Sequence, residues 1–227
     1  MTKDDLFFAS ILKDAKFITD LEIPLIKREE KCDLNNIVSF NSKIKDLHNL
    51  ENLFFHFYDV NLKFEDYLKL FKYKKFAKIK FCKGIIMPNL NIKDNENIIE
   101  YIYKIYQNRQ LIYFFQKHGL IVIPTIDWYD FLSINYSLIS LFKYGIYAIY
   151  IRNKINYDLN IKCFKKCMRK IILKLKPLSI WFYDDNKQIK VDIFANKNKL
   201  NFLDISNLVL GFFNKKIKNR SYTTNEK

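Results

Sequence analysis

Three of the four glycines, Gly84, Gly119 and Gly145, each stand between a helix-like segment and a short, unbroken apolar run. The runs read GIIMPNLNI, GLIVIPTIDW and GIYAIYIRN. Glycine adopts the left-handed backbone that closes a helix at the lowest steric cost, so each is expected to end one helix and open one strand. Continuous apolar runs, unlike alternating ones, belong to strands covered on both faces, as in a parallel sheet. Residues 53–59 (LFFHFYD) and 178–184 (LSIWFYD) have the same character, and Pro177 stops the helical segment before the second.

Between these runs lie segments long enough to be crossover helices: 64–76, 95–118, 130–144 and 158–176. In the second, Ile98, Ile99, Ile102, Ile105, Tyr106, Ile112 and Tyr113 recur near the helical period. Strand and helix alternating over five units predict an α/β fold, with repeated βα units forming a mainly parallel sheet. That sheet is either open or a partial, irregular barrel. An edge strand at 190–194 and a helix at 203–213 complete it. Residues 1–49 read as a helical and polar lead-in, 50–214 as the α/β domain and 215–227 as a basic, disordered tail.

A chain of 227 residues supports one substantial core. Its apolar fraction of 49% sets it apart from disordered sequences. The longest apolar neighbourhood, 136–151, is interrupted by Ser137, Ser140, Lys143 and Gly145, so no membrane span is expected. Asp4 and Asp5 occupy positions where a secretory signal carries positive charge, and a cytoplasmic location is expected. The four cysteines form no Cys-x-x-Cys pair, and no paired histidines accompany them, so no metal site is expected. Cys163 and Cys167 share one helix face as small, reduced residues. Glycine-rich phosphate loops, GxGxxG, GxSxG and HExxH are all absent from the sequence, which disfavours the corresponding hydrolase, dehydrogenase and zinc-protease classes and leaves the cofactor unknown.

The net charge of +15 would attract polyphosphate. Only five of the 39 basic residues are Arg, however, and the Lys is interspersed with abundant Asn, Ile, Phe and Tyr. That composition is what an AT-rich genome encodes, so the charge leaves nucleic acid as one possible partner and does not establish it.

In βα architectures, functional groups gather at the carboxyl ends of the strands. Here those ends carry Asp59, then Asn89 and Asn91, then Thr125, Asp127 and Trp128, then Arg152 and Asn153, then Tyr183, Asp184 and Asp185. Asp59, Asp127 and Arg152 are the candidate catalytic residues; Asn89, Asn91, Trp128 and Asp184 are candidate ligand contacts. Taken singly, Asp127 also fits a helix cap. Arg152 either pairs with the neighbouring carboxylates or holds an anion. Trp128 is a stacking wall or a core aromatic, and His56 reads as a core histidine.

The order Asp59 and Phe64, Pro88 with a polar pair after it, Tyr106-Gln107-Asn108-Arg109, Gln116, Gly119, Ile123-Pro124-Thr125 and Trp128 resembles the bacterial and phage family known as domain of unknown function 4417. The resemblance spans residues 53–184 and is most specific across 108–128. Family members usually end the second strand in Pro-Asp-Phe-Ser, where this chain has Pro88-Asn89-Leu90-Asn91. An amide exchanges no proton near neutral pH, so Asn89 can contact a ligand but cannot act as an acid or base. The resemblance adds Arg109 and Gln116, seven apart on one helix, as ligand contacts. It implies a setting in phages, plasmids and other mobile elements, with no established activity. Two readings follow: a protein with a ligand or active site at the strand ends, or a basic nucleic-acid-binding accessory protein. Under the second, Lys162, Lys165, Lys166, Arg169 and Lys170 carry the function.

Overall fold

The computed structural model describes residues 8–32, 36–41, 47–57, 64–70, 79, 81–87, 96–151, 158–183, 188–193 and 202–220. Its largest sheet is parallel, in the order β3 (Ile37–Ser39), β4 (Phe54–His56), β5 (Gly84–Ile86) and β6 (Ile121–Ile123). A second sheet pairs β7 (Ile146–Tyr150) in parallel with β8 (Ser179–Tyr183), and β8 antiparallel with β9 (Gln188–Asp192). One parallel bridge, Thr125 to Ala148, joins the two. There the Ile126 N–H donates to the Ala148 carbonyl and the Ala148 N–H to the Pro124 carbonyl, both at 2.9 Å. Strands β3 to β8 therefore all run the same way. Among the described residues no ladder joins β3 to β9.

The continuous apolar runs are explained by cover on both faces. One side of β4, β5 and β6 (Phe55, Ile85, Met87, Val122) packs with helices α1 (Phe64–Leu70) and α2 (Ile98–Lys117). The same side of β7 and β8 (Tyr147, Ile149, Ile180, Phe182) packs with α4 (Asp158–Leu175) and α5 (Phe202–Arg220). The alternate residues Phe54, Ile86, Ile123, Ile146, Ala148 and Trp181 converge as a separate inner cluster. Such convergence from five strands requires the sheet to curl around its inner face. Each fully buried Phe or Ile in these layers contributes about 1.5–3 kcal/mol.

Helix α2 is bounded by local chemistry. The Asn97 side chain accepts the Ile99 N–H at 2.8 Å. At the other end, Gly119 takes φ 85° and donates its N–H to the Gln116 carbonyl. Of the three strand-opening glycines, only this one is left-handed. Gly84 lies within β5, where a Cβ would stand 2.4 Å from the Phe54 ring and 2.5 Å from the Ile121 carbonyl oxygen. Close strand approach, not turn geometry, is what requires glycine there. Before Gly145 the left-handed residue is Tyr144, at φ 62°.

Two expected helices take other forms. Between β6 and β7 only α3 (Ile134–Ser137) is helical, in place of a helix over 130–144. The Arg109 guanidinium donates to the carbonyls of Ser137 (2.6 Å) and Ile139 (3.2 Å), and Ser140 is left-handed, so helical bonding cannot propagate. In the N-terminal region the described residues hold 3-10 turns at Ala9–Leu12 and Leu47–Asn52. They also hold a two-stranded ladder, β1 (Phe17–Ile18) with β2 (Ile23–Pro24), and the edge strand β3.

Residues 24–29 cross the amino ends of the strands and are held at four points. Ser140 Oγ donates to the Pro24 carbonyl, the Gln116 side chain pairs with the Lys27 backbone, Arg28 reaches the Lys143 carbonyl, and the Ile146 N–H donates to the Glu29 carbonyl. Helix α5 runs on to Arg220, past the expected end near 213, and β9 begins at Gln188, two residues before the expected start.

Candidate functional site at the carboxyl ends of the strands

Parallel register fixes which residues arrive together. Ser39, His56, Ile86 and Ile123 lie level across β3 to β6, and Tyr150 and Tyr183 lie level at the ends of β7 and β8. His56 follows Phe54 by two residues and so shares its inner face; Tyr150 follows Ala148, and Tyr183 follows Trp181, in the same way. The curl then brings unlike strands together. The His56 and Tyr183 rings have centroids 5.9 Å apart, and Tyr150 and Tyr183 stand at 5.0 Å. Trp181 stacks on Tyr183 from below at 6.4 Å. His56 and Tyr150 are partly exposed, whereas Tyr183 is buried. The inner face thus has an apolar floor and ends in a half-open group of one imidazole and two phenols.

His56 was expected in the core; it lies at the edge of the inner cluster, facing Tyr183. The sequence signal was period-two counting from Phe54, but only the curl shows what stands opposite.

Asp127 is buried just past β6. Its Oδ1 accepts the Trp128 N–H at 2.8 Å, its own N–H donates to Ser137 Oγ, and its carbonyl accepts the Tyr101 hydroxyl at 2.9 Å. Burial, and then the nearby Asp127 charge, raise the Tyr101 phenol well above its ordinary range. Trp128 is buried and packs against Phe164 with centroids 6.2 Å apart.

Arg109 is completely buried, and besides the two carbonyls it meets Asn108 Oδ1 at 2.6 Å. Desolvation lowers its guanidinium to about 10, still protonated at neutral pH. Gln116 is buried, accepting the Lys27 N–H at 2.8 Å and donating to the Lys27 carbonyl at 2.9 Å. Arg109 and Gln116 therefore grip different segments: one the connection from β6 to β7, the other the strap across the strand amino ends.

Asp59, Asn89, Asn91, Arg152 and Asp184 lie outside the described residues. In sequence, each follows closely on the last described residue after β4, β5, β7 or β8. Among the described residues, no three His, Cys, Asp or Glu side chains come together as a metal site, and no helix is long and apolar enough to cross a membrane.

No curated protein and no solved structure matches the chain. A family model does match, over residues 15–200, and it covers the parallel sheet, the strap and the inner-face aromatic group alike. On that match the chain belongs to the family described as Domain of unknown function (DUF4417).

Proposed function

We propose that this protein binds a small polar ligand at the carboxyl-end mouth of its inner face, within an incomplete barrel of βα units, in the service of a phage or other mobile element. The observation that carries this reading is the meeting of His56 and Tyr183 across the curl, over an apolar floor. A concave site with a few convergent polar groups is the usual form of a small-molecule site. His56 is the group suited to exchange a proton near neutral pH, and Tyr150 and Tyr183 offer ring faces and hydroxyls. Asp59, Asn89, Asn91, Asp127, Arg152 and Asp184 form the rim in this reading. Arg152 takes an anionic group of the ligand, the amides donate hydrogen bonds, and the carboxylates hold a cation or accept a proton. Arg109, Gln116 and Trp128 act indirectly, by fixing the segments that carry the site.

The test is a thermal-shift screen of the full chain against nucleotides, sugar phosphates, amino acids and small carboxylates. At least one class should stabilise the parent, and the gain should vanish in His56→Ala and Tyr183→Phe. A ligand that stabilises parent and both variants equally would place the site elsewhere.

A further inference from the structure

We infer that the outer face of helix α4 is a docking surface for the phosphate backbone of nucleic acid. This inference does not depend on the inner-face ligand site. Helix α4 divides sharply by face. Phe164, Cys167, Met168, Ile171, Ile172 and Leu175 are buried against β7, β8 and α5. Lys162, Lys166 and Arg169 are exposed, and their spacing of four and three residues places them in one row about 10 Å long. Beside this row, Lys170 Nζ lies 4.9 Å over the Phe131 ring, which holds a further positive charge at its edge.

Helix stability does not account for this row. Cations help a helix in its last turn, which explains Lys174, but Lys162, Lys165 and Lys166 stand in the first half. Lys162 with Lys166, and Lys166 with Lys170, are like charges four apart, an arrangement that destabilises a helix. The single acidic residue of the helix is Asp158, at its start. A polyanion lying along the row relieves that repulsion and releases counterions as it binds.

An anionic membrane is the other large polyanion, but a helix that lies in a bilayer surface inserts its apolar face. Here that face is already within the protein core; among the described residues Leu173 is the exposed large apolar side chain of the helix itself, and Phe131 and Leu132 are exposed beside it. Nucleic acid, which needs only the charged row, fits better.

The test uses the full chain and a fluorescently labelled generic duplex, with one of its single strands in parallel, titrated over a range of salt. The triple variant Lys162→Gln, Lys166→Gln, Arg169→Gln is compared with Lys13→Gln, Lys16→Gln, Lys31→Gln, which removes the same charge from exposed positions in the N-terminal region. Thermal melting verifies that both triples remain folded. The α4 triple should bind duplex at least about tenfold more weakly and flatten the log-log salt slope by about 2–3, at roughly 0.9 per phosphate contact, or about 0.7 on the single strand. The control triple should keep the parent's slope. Equal losses in both triples would reduce the binding to net charge and overturn the inference. So would a parent that binds neither strand form at low salt, or one that binds anionic vesicles and not nucleic acid.

Discussion

His56 on β4 and Tyr183 on β8 stand with ring centroids 5.9 Å apart although β5, β6 and β7 lie between their strands. The contact reports the curl directly, because a flat sheet would hold these strands far apart at the usual spacing of about 5 Å per strand. A double-mutant cycle of His56→Ala and Tyr183→Leu, read by urea unfolding, should give a coupling of about 0.5–1.5 kcal/mol. Additive losses would mean that the rings do not meet in solution.

Gln116 offers a second quantitative test. Its side-chain amide pairs with both polar groups of the Lys27 peptide, as a neighbouring strand would. Gln116→Ala leaves both groups of a part-buried peptide unpaired and should cost about 1–3 kcal/mol. Gln116→Glu keeps one acceptor but sets a buried carboxylate oxygen against the Lys27 carbonyl, so it should cost at least as much as alanine. Faster hydrogen exchange at the Lys27 amide in the alanine variant, with helix α2 still protected, would show that the strap is released locally.

Gly84 should resist enlargement for a packing reason. An alanine Cβ would press on the Phe54 ring and on the Ile121 carbonyl, and the second is backbone that cannot swing aside. Gly84→Ala is expected to destabilise by about 1–3 kcal/mol. At Gly119 a Cβ would meet nothing within 4 Å, and the cost arises from its φ of 85° alone. There alanine should cost less, about 1 kcal/mol. Equilibrium unfolding of the two variants decides the order.

Asp127 separates a structural from a functional role. Asp127→Asn retains the acceptor for the Trp128 N–H and should unfold within about 0.5 kcal/mol of the parent, while Asp127→Ala should lose about 1 kcal/mol. If the proposed rim is right, the asparagine variant also loses ligand stabilisation. A variant that melts like the parent and binds ligand like the parent would make the segment after β6 purely structural.

Stability should fall on the alkaline side. Burial raises the Tyr147 phenol and the Cys82 thiol each to about 12, and carries Tyr67 and Tyr101 upward as well. In the unfolded chain these groups ionise near 10.0 for tyrosine and 9.0 for cysteine. Between those values and about 12 the folded state keeps protons that the unfolded state has released, so the unfolding free energy falls as pH rises. Their contribution is fully present below pH 9. Melting temperature should therefore decline from about pH 9 upward, with the tyrosinate absorbance of the buried phenols appearing at unfolding, on top of that of exposed tyrosines such as Tyr144. A melting temperature that stays level between about pH 9 and 12 would show that these groups ionise alike in the folded and unfolded chain.

The sequence by itself determined the strands β4 to β8 and the helices α2 and α4, because a continuous apolar run and a 3.6-residue period are local patterns that survive without knowledge of neighbours. It also marked the family, through the motif around Asn108 to Trp128. Only tertiary structure decided the rest. β3 is three residues in a polar stretch and becomes a strand because β4 offers it a ladder. Residues 130–144 are long enough for a crossover helix, yet Arg109 takes the Ser137 and Ile139 carbonyls that a helix would have used. Gly84 reads like a helix-closing glycine but is required by the approach of Phe54 and Ile121. His56 reads as one more core residue because nothing near it in sequence foretells Tyr183. Backbone hydrogen-bond competition and long-range ring contacts are set by residues tens to over a hundred positions away, which is why periodicity reveals the elements but not the pairs that give the site its chemistry.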